Sequence, residues 1–256
     1  MSIVEKHRLH GRIALVTGAS SGIGQASAIA LAQAGARVAI HYRTNQTGAQ
    51  ATLDAVREAG SDGVLIQGDL SAPDQAHAVV DACLRQFGAL DILFNNAGSP
   101  IEMAPLSECA YELWRRNFDV NVHSVFLVTQ RAIPALRASK RGSIINNLSL
   151  SVQTGGSGGA GAYAAAKGAL QVMTRTLAKE LAPDIRTNAI MPGVIETPHH
   201  EEFTPAAKML DYRKQTPLGR NGIADEVAAT VAFLASDAAS FINGALLDIN
   251  GGRFLR

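Results

Sequence analysis

Two cysteines, Cys83 and Cys109, are all that the chain carries. That excludes a disulfide framework and a four-cysteine zinc site, and it fits reduced thiols packed as small hydrophobes inside helices. Charge of one sign is also missing: 23 Lys and Arg against 22 Asp and Glu leave a formal net charge of +1. There is no field to draw nucleic acid or an acidic membrane surface, so neither is an expected partner. Long apolar runs are absent too. The opening "MSIVEKHRLHGR" has no apolar signal core, and no later stretch is long enough to span a bilayer, which points to a cytoplasmic protein. Neither HExxH nor a Cys/His cluster occurs, and the adjacent His199 and His200 cannot share a helix face, so no metal site is expected. Composition breaks, linkers and solenoid-length repeats are lacking as well, and the expectation is one domain over residues 1–256.

What the chain does have is an alternation of short apolar runs with longer helical patterns. Strands are expected at "IALVT" (13), "RVAIHY" (37), "GVLIQG" (63), "DILFNNA" (91), "SIINNLS" (143), "RTNAIMP" (186) and "ALLDING" (245). They are mostly apolar throughout, as strands covered on both faces should be. Helical stretches lie between them, including a long one from Ser107 to Ser139, and several stop at a glycine (Gly35, Gly60, Gly88). Repeated strand–helix alternation argues an α/β fold, a doubly wound parallel sheet of about seven strands with helices on both faces. The glycine-rich "TGGSGGAG", Thr154 to Gly161, reads as a loop between a strand and a helix. Prolines and polar residues gather at about 191–222, an excursion from the sheet of the kind that forms substrate loops.

The stretch "TGASSGIG", Thr17 to Gly24, joins the first strand to the first helix. In a βαβ unit this is where a pyrophosphate rests on a helix N-terminus, whose free N–H groups and dipole stabilise anionic oxygens. Ser20 and Ser21 add hydroxyl donors. The loop reads as a nucleotide cradle.

In "GAYAAAKGAL", Tyr163 and Lys167 stand four apart, on one face of a helix. A free phenol titrates near pH 10; an ammonium beside it favours the phenolate and lowers that value, making Tyr163 a usable acid or base. Ser149 ends the strand "SIINNLS" just upstream, where its hydroxyl can hold a substrate oxygen. "FNNAG", Phe94 to Gly98, ends another strand at the same carboxyl edge. Asn121 is a polar amide among Val120, Val122 and Phe126, and a buried amide needs partners.

Taken in order, "TGASSGIG", "GDL" (68), "NNAG" (95), Asn121, Ser149, "YAAAK" (163) and "PGVIET" (192) resemble the short-chain dehydrogenase/reductase family across essentially the whole chain. The resemblance implies a Rossmann-like domain and a catalytic tetrad. Tyr163 would be the general acid/base, and Lys167 would lower its pKa and hold the nicotinamide ribose. Ser149 would orient the substrate oxygen, and Asn121 would anchor a proton-relay water. The same resemblance implies a cofactor site of Gly18, Ser20, Ser21, Gly22, Ile23 and Gly24 around the phosphates, with Asp69 and Leu70 at the adenine. Asn95 to Gly98 would line the cofactor, as would Pro192 and Gly193, and Ile195 and Thr197 would meet the nicotinamide carboxamide. It also suggests a homotetramer, with "GGRFLR" near a subunit contact. One departure is visible. The family's serine commonly precedes the tyrosine by thirteen positions, whereas Ser149 lies fourteen and Ser151 twelve upstream. Alignment from the strand side favours Ser149, with an extra residue absorbed by "TGGSGGAG"; Ser151 is the alternative.

A carboxylate at the end of the second strand suits the ribose 2′-hydroxyl of NAD, and a cation there suits the 2′-phosphate of NADP. Here that strand runs into "HYRTN", with no acidic residue between Glu5 and Asp54. Arg43, helped by Thr44 and Asn45, is therefore the phosphate candidate; NADP(H) is preferred and NAD(H) remains possible. The expected activity is hydride transfer between the nicotinamide and the carbonyl or secondary alcohol of a small-molecule substrate. The mixed lid "ETPHHEEFTPAAKMLDYRKQTPLGR" favours a polar one such as a sugar, polyol or sugar acid, with Glu196, His199 and Glu202 as polar contacts. Reduction of 3-oxoacyl groups on acyl carrier protein is the alternative, although Asp184 stands where such reductases commonly carry a basic docking residue. A nucleotide-binding sensor or scaffold is the non-enzymatic one.

Overall fold

Ile13–Val16 (β1) is apolar and buried at every position. Ala14 and Val16 face one side of the sheet while Ile13 and Leu15 face the other, the period-two alternation of a strand covered on both faces. In the computed structural model, which describes residues 2–198 and 204–255, β1 lies inside a sheet with a strand on either side. The remaining strands are Arg37–Tyr42 (β2), Gly63–Gln67 (β3), Ile92–Asn95 (β4), Gly142–Asn147 (β5), Ile185–Pro192 (β6), Ile195–Glu196 (β7), Gly222–Ile223 (β8) and Leu246–Ile249 (β9). Seven of them pair in the order β3-β2-β1-β4-β5-β6-β9, all parallel, and β7 pairs with β8 apart from them. Every strand expected from the apolar runs is present.

The helices are Ile3–Lys6 (α1), Gly22–Gln33 (α2), Gln46–Glu58 (α3), Pro73–Phe87 (α4), Tyr111–Phe118 (α5), Ser124–Ala138 (α6), Ser151–Thr154 (α7), Gly161–Glu180 (α8), Ala206–Gln215 (α9) and Ala224–Ala235 (α10). Leu31, Val56 and Val231 bring α2, α3 and α10 onto one face of the sheet. Val80, Cys83, Val128 and Leu136 bring α4 and α6 onto the other. The fold is a single doubly wound α/β domain. Because the chain winds outward from β1 on one side and from β4 on the other, a crevice opens at the carboxyl edge between them, where ligands of open α/β sheets bind.

Three local expectations are corrected. The long helix expected over Ser107–Ser139 starts only at Tyr111 and is interrupted by a π-helical turn, Asp119–His123. Asn117 Nδ2 donates to Leu113 O (3.0 Å), Asn121 Nδ2 to Asn117 O (3.0 Å) and Ser124 Oγ to Val120 O (2.6 Å). These side chains compete with the backbone for the carbonyls of the preceding turn, and the ladder widens there. Cys109 is partly exposed in the loop before α5, unlike Cys83, whose thiol burial pushes up to about 12. Finally, the loop after β5 does not follow the strand directly: the short α7 precedes it, and its Gly155, Gly156, Gly158 and Gly159 all have positive φ. Among the described residues no helix is long and apolar enough to cross a membrane, and no cluster of His, Cys, Asp or Glu could hold a metal ion.

Below the sheet, Arg12 is almost fully buried, donates to Ala235 O at 3.0 Å and pairs with Asp237. Asp237→Ala leaves that guanidinium without a counter-charge. Thermal unfolding should then show a loss of about 2–4 kcal/mol, as when one partner of a buried pair is removed, moderated by the exposed carboxylate side. An unchanged Tm would show that the pair contributes nothing.

Candidate active site

Ser21 precedes α2 without a side-chain cap, so the free N–H groups of the first turn are left for an anion. The glycines there are required by geometry. Gly18 has φ +62°, and a Cβ on it would stand 2.9 Å from Ala97 Cα. A Cβ on Gly24 would stand 2.2 Å from Gly18 O, inside any allowed contact. The loop is thus folded tightly on itself, the close backbone approach that a dinucleotide pyrophosphate site requires.

Side chains from β1, β2, β4 and β5 and the turns that follow them hold this cradle. Asn96 Nδ2 donates to Thr17 O and Gly18 O, both at 3.0 Å. Thr17 Oγ1 accepts from Asn96 N (2.9 Å) and Ala97 N (3.0 Å). His41, at the end of β2, accepts from Gly18 N at Nδ1 (3.1 Å), and its Nε2 faces Gly68 O (3.1 Å). Burial lowers its pKa to about 4, so the ring is neutral and Nε2 is the donor. Asn147 Nδ2 then donates to Asn96 Oδ1 (2.9 Å), tying β5 to β4.

Strand parity corrects one expectation. Asn95 does not line the cleft; it points beneath, donating to Asn146 Oδ1 (2.9 Å) and Thr129 Oγ1 (3.0 Å). Asn95 and Asn146 are register partners in the β4–β5 ladder, so both face the helix layer, and the next pair, Asn96 and Asn147, faces the crevice.

Helix α8 places the acid/base candidates. Ala162, Ala164 and Ala166 are buried, small side chains on both flanks of the helix that let its neighbours pack close. Tyr163 reaches the cleft and Lys167, a turn further, is inside the protein at 2% exposure. Ser149 hydrogen-bonds the Tyr163 hydroxyl and accepts Ser151 N at 3.1 Å. Ser151 Oγ is buried without a partner. Lys167 Nζ donates to Asn147 O at 2.8 Å and sits 5.7 Å from the Tyr163 ring centre. The expected lowering of the tyrosine is not what the free chain shows. Burial pushes Tyr163 up to about 12, against the opposing hydrogen bond from Ser149, and the same loss of water brings Lys167 down to about 7.

Asn121 is fully buried in the π-helical turn, donating to Ser99 O (2.9 Å) and leaving Oδ1 without a partner. A Cβ on Gly98 would meet this oxygen at 2.5 Å and Lys167 Nζ at 3.0 Å. The two polar atoms therefore flank one space, kept open by a glycine with φ +152°.

A cleft of about 820 Å³ joins these parts. Ser20, Ser21, Gly22, Ile23 and Gly24 border it beside Gly18, Ala97 and Gly98, and Asp69 and Leu70 lie at the far end with Arg43 and Thr44. Asp69 accepts from Ser71 N (2.9 Å) and Ser71 Oγ (2.7 Å), which holds its carboxyl below the usual range. Asn45 caps α3 by accepting from Gly48 N (3.0 Å), so its oxygen is engaged. Pro192, Gly193, Ile195 and Thr197 border the other end, with Thr197 over Gly22. Glu196 is off the cleft, paired with Arg213 at 2.5 Å. His199, His200 and Glu202 lie outside the described residues.

With this geometry in place, the family described as enoyl-(acyl carrier protein) reductase matches residues 18–253. An uncharacterised oxidoreductase of Methylorubrum extorquens is 42% identical over 96% of this chain and 98% of its own. The chain belongs to the short-chain dehydrogenase/reductase family. A second member, cis-4-hydroxycyclohexanecarboxylate dehydrogenase of Sinomonas cyclohexanicum, is 38% identical over 94% of this chain and 96% of its own. Among solved structures, a 7α-hydroxysteroid dehydrogenase complexed with NADH and 7-oxo glycochenodeoxycholic acid superposes with a TM-score of 0.93. It is 30% identical and covers 98% of both chains. This chain is accordingly a dehydrogenase/reductase that uses a nicotinamide cofactor and acts on CH–OH or C=O groups. Of the residues that hold the cradle, Thr17 and Asn96 fall inside the motifs "TGASSGIG" and "NNAG", while His41 and Asn147 carry no signal of their own in the sequence.

Proposed function

We propose that the protein is an NADP-preferring oxidoreductase that interconverts the carbonyl and secondary alcohol of a small polar molecule such as a sugar, polyol or sugar acid. The observation that carries this is the meeting of Ser149 and Tyr163 on the wall of the cleft that also contains the glycine cradle, with Lys167 buried directly behind Tyr163. A bound nicotinamide dinucleotide supplies or accepts the hydride. Ser149 and Tyr163 hold the substrate oxygen between their hydroxyls. Tyr163, protonated at neutral pH because burial raises it, gives its proton to that oxygen in the reducing direction and takes it back in oxidation. Lys167 holds the ribose hydroxyls, and its Nζ together with Asn121 Oδ1 binds a water that returns protons from solvent. Both atoms border the space above Gly98, which supports that role.

Arg43 and Thr44 are exposed beside the cleft, and among the described residues no salt bridge engages Arg43. A guanidinium just past the end of β2, held by no salt bridge and facing Asp69 only at longer range, supports recognition of the 2′-phosphate. Arg43→Asp should weaken NADPH about tenfold or more while leaving NADH nearly unchanged, as loss of one charge-assisted contact predicts. Fluorescence titration of both cofactors tests it, and equal weakening of the two would remove Arg43 from the assignment.

Reduction of 3-oxoacyl groups on acyl carrier protein is a second reading, favoured by the acyl-carrier-protein substrate in the description of the matching family. Asp184, which had counted against docking, lies 3.8 Å from Arg137 and 3.7 Å from Lys140, so that surface is not acidic overall. A homotetramer is proposed with the first reading: Phe126, Val172 and Phe241 are exposed apolar side chains that subunit contacts would cover. The excursion at 191–222 is assigned as the substrate loop.

A further inference from the structure

The substrate half of the cleft contains two cations that the proposed chemistry does not use. Lys208 on α9 and Arg253 near the C-terminus both border it, together with Tyr212 between them. Lys208 Nζ lies 5.6 Å, and Arg253 Cζ 4.3 Å, from the centre of the same Tyr212 ring. Arg253 also donates to two neutral oxygens, Tyr212 O (3.1 Å) and Gln215 Oε1 (2.8 Å). Among the described residues, Lys208 is in no salt bridge, and Asp69 is the one carboxylate bordering the cleft. Asp69 is at the adenine end and occupied by Ser71.

An aromatic face attracts a cation through its quadrupole without neutralising it. A carboxylate partner would cancel the charge; a tyrosine positions it and leaves it available to a ligand. Lys208 is also on the substrate side and not at the cofactor phosphates. Its Nζ is 2.9 Å from where a Cβ on Gly158 would stand, so it lies over the loop that leads from Ser149 to Tyr163. Ser157 of that loop borders the cleft too and adds a hydroxyl donor.

We infer that the substrate carries an anionic oxygen group, a carboxylate or a phosphate, bound by Lys208 with Arg253 and Tyr212 behind it. The inference rests on the dehydrogenase reading of the same cleft and narrows its substrate from polar to anionic. Lys208 and Arg253 are specificity residues; they hold the end of the molecule away from the reacting carbon.

Two matched pairs of ketones test it with NADPH: 4-oxocyclohexanecarboxylate against its methyl ester, and dihydroxyacetone phosphate against dihydroxyacetone. The anionic member of at least one pair should have a kcat/KM about tenfold higher, as one charge-assisted hydrogen bond gives. The pair that shows the preference identifies the group as carboxylate or phosphate. Lys208→Gln should bring that preference close to unity through KM, and Lys208→Arg should retain it. Calorimetric titration of unreactive cyclohexanecarboxylate and of inorganic phosphate into NADP-saturated protein gives a second readout, with binding of one of them about tenfold weaker in Lys208→Gln. Reduction of the ketones with no anionic preference, or a preference that survives Lys208→Gln, overturns the anion site and leaves the dehydrogenase reading intact. Lys208-dependent anion binding with no ketone reduced does the reverse. Absence of both the binding and the preference overturns the inference outright.

Discussion

Tyr163→Phe should lower turnover by about 10²–10⁴-fold, the range that a positioned proton donor contributes, while NADPH still binds and the protein stays folded. The ring remains to pack in α8; what is lost is the hydroxyl that Ser149 contacts. The pH dependence follows from the same burial. Tyr163 is pushed up to about 12, so the proton-donating form persists through neutrality and reduction is supported there. Alcohol oxidation needs the phenolate, so its rate should climb with pH from about 6 to about 11, without the plateau that an unperturbed or lowered phenol would give. Lys167, brought down to about 7, adds a step near neutrality, because the two groups titrate as a coupled site. Rates measured in both directions across that range on wild type and Tyr163→Phe decide the matter. A phenylalanine variant with most of its activity would remove Tyr163 from the chemistry.

Gly24→Ala should abolish measurable dinucleotide binding. A methyl group there would lie 2.2 Å from Gly18 O and 2.5 Å from Asn96 Nδ2. The first of these is backbone and cannot rotate away. Relief requires the cradle to open, which separates the N-terminus of α2 from the loop that presents the pyrophosphate and breaks the Asn96 contacts to Thr17 and Gly18. Overpacking of this kind costs about 1–3 kcal/mol, so a lowered Tm should accompany the lost binding. Gly168→Ala is the control: it has open space around it within α8, and alanine in a helix interior is favoured over glycine by about 0.5–1 kcal/mol. NADPH titration and thermal melts on both variants test the cradle. Normal affinity in Gly24→Ala would mean that the loop is not where the phosphates bind.

The fold was legible because its signal is local. Each buried strand is a short apolar run bounded by turn residues, and the glycine stops at Gly35, Gly60 and Gly88 fall just beyond α2, α3 and α4. The positions of Tyr163 and Lys167 were legible for the same reason, since four residues along a helix fix a shared face. What escaped was decided by neighbours distant in sequence. Which asparagine of "NNAG" faces the cleft depends on the register of β4 against β5. The break near Asn121 depends on side chains of one turn bonding the carbonyls of the turn before. The direction of the Tyr163 shift depends on how much water the assembled cleft removes, a quantity that no spacing of residues encodes. His41 looked like an ordinary strand residue, and only folding brings Gly18 N to its ring.

The central claim, hydride transfer assisted by this cleft, is tested most directly by isotope. NADPH deuterated at nicotinamide C4, in each of its two stereochemical forms, is incubated with the protein and the ketone pairs, and the products are analysed by mass spectrometry. Deuterium should appear on the carbinol carbon from one stereoisomer only, because a fixed cofactor presents one face to the substrate oxygen held by Ser149 and Tyr163. Alcohol product without label from either form, or no alcohol at all from any carbonyl supplied, would contradict the account.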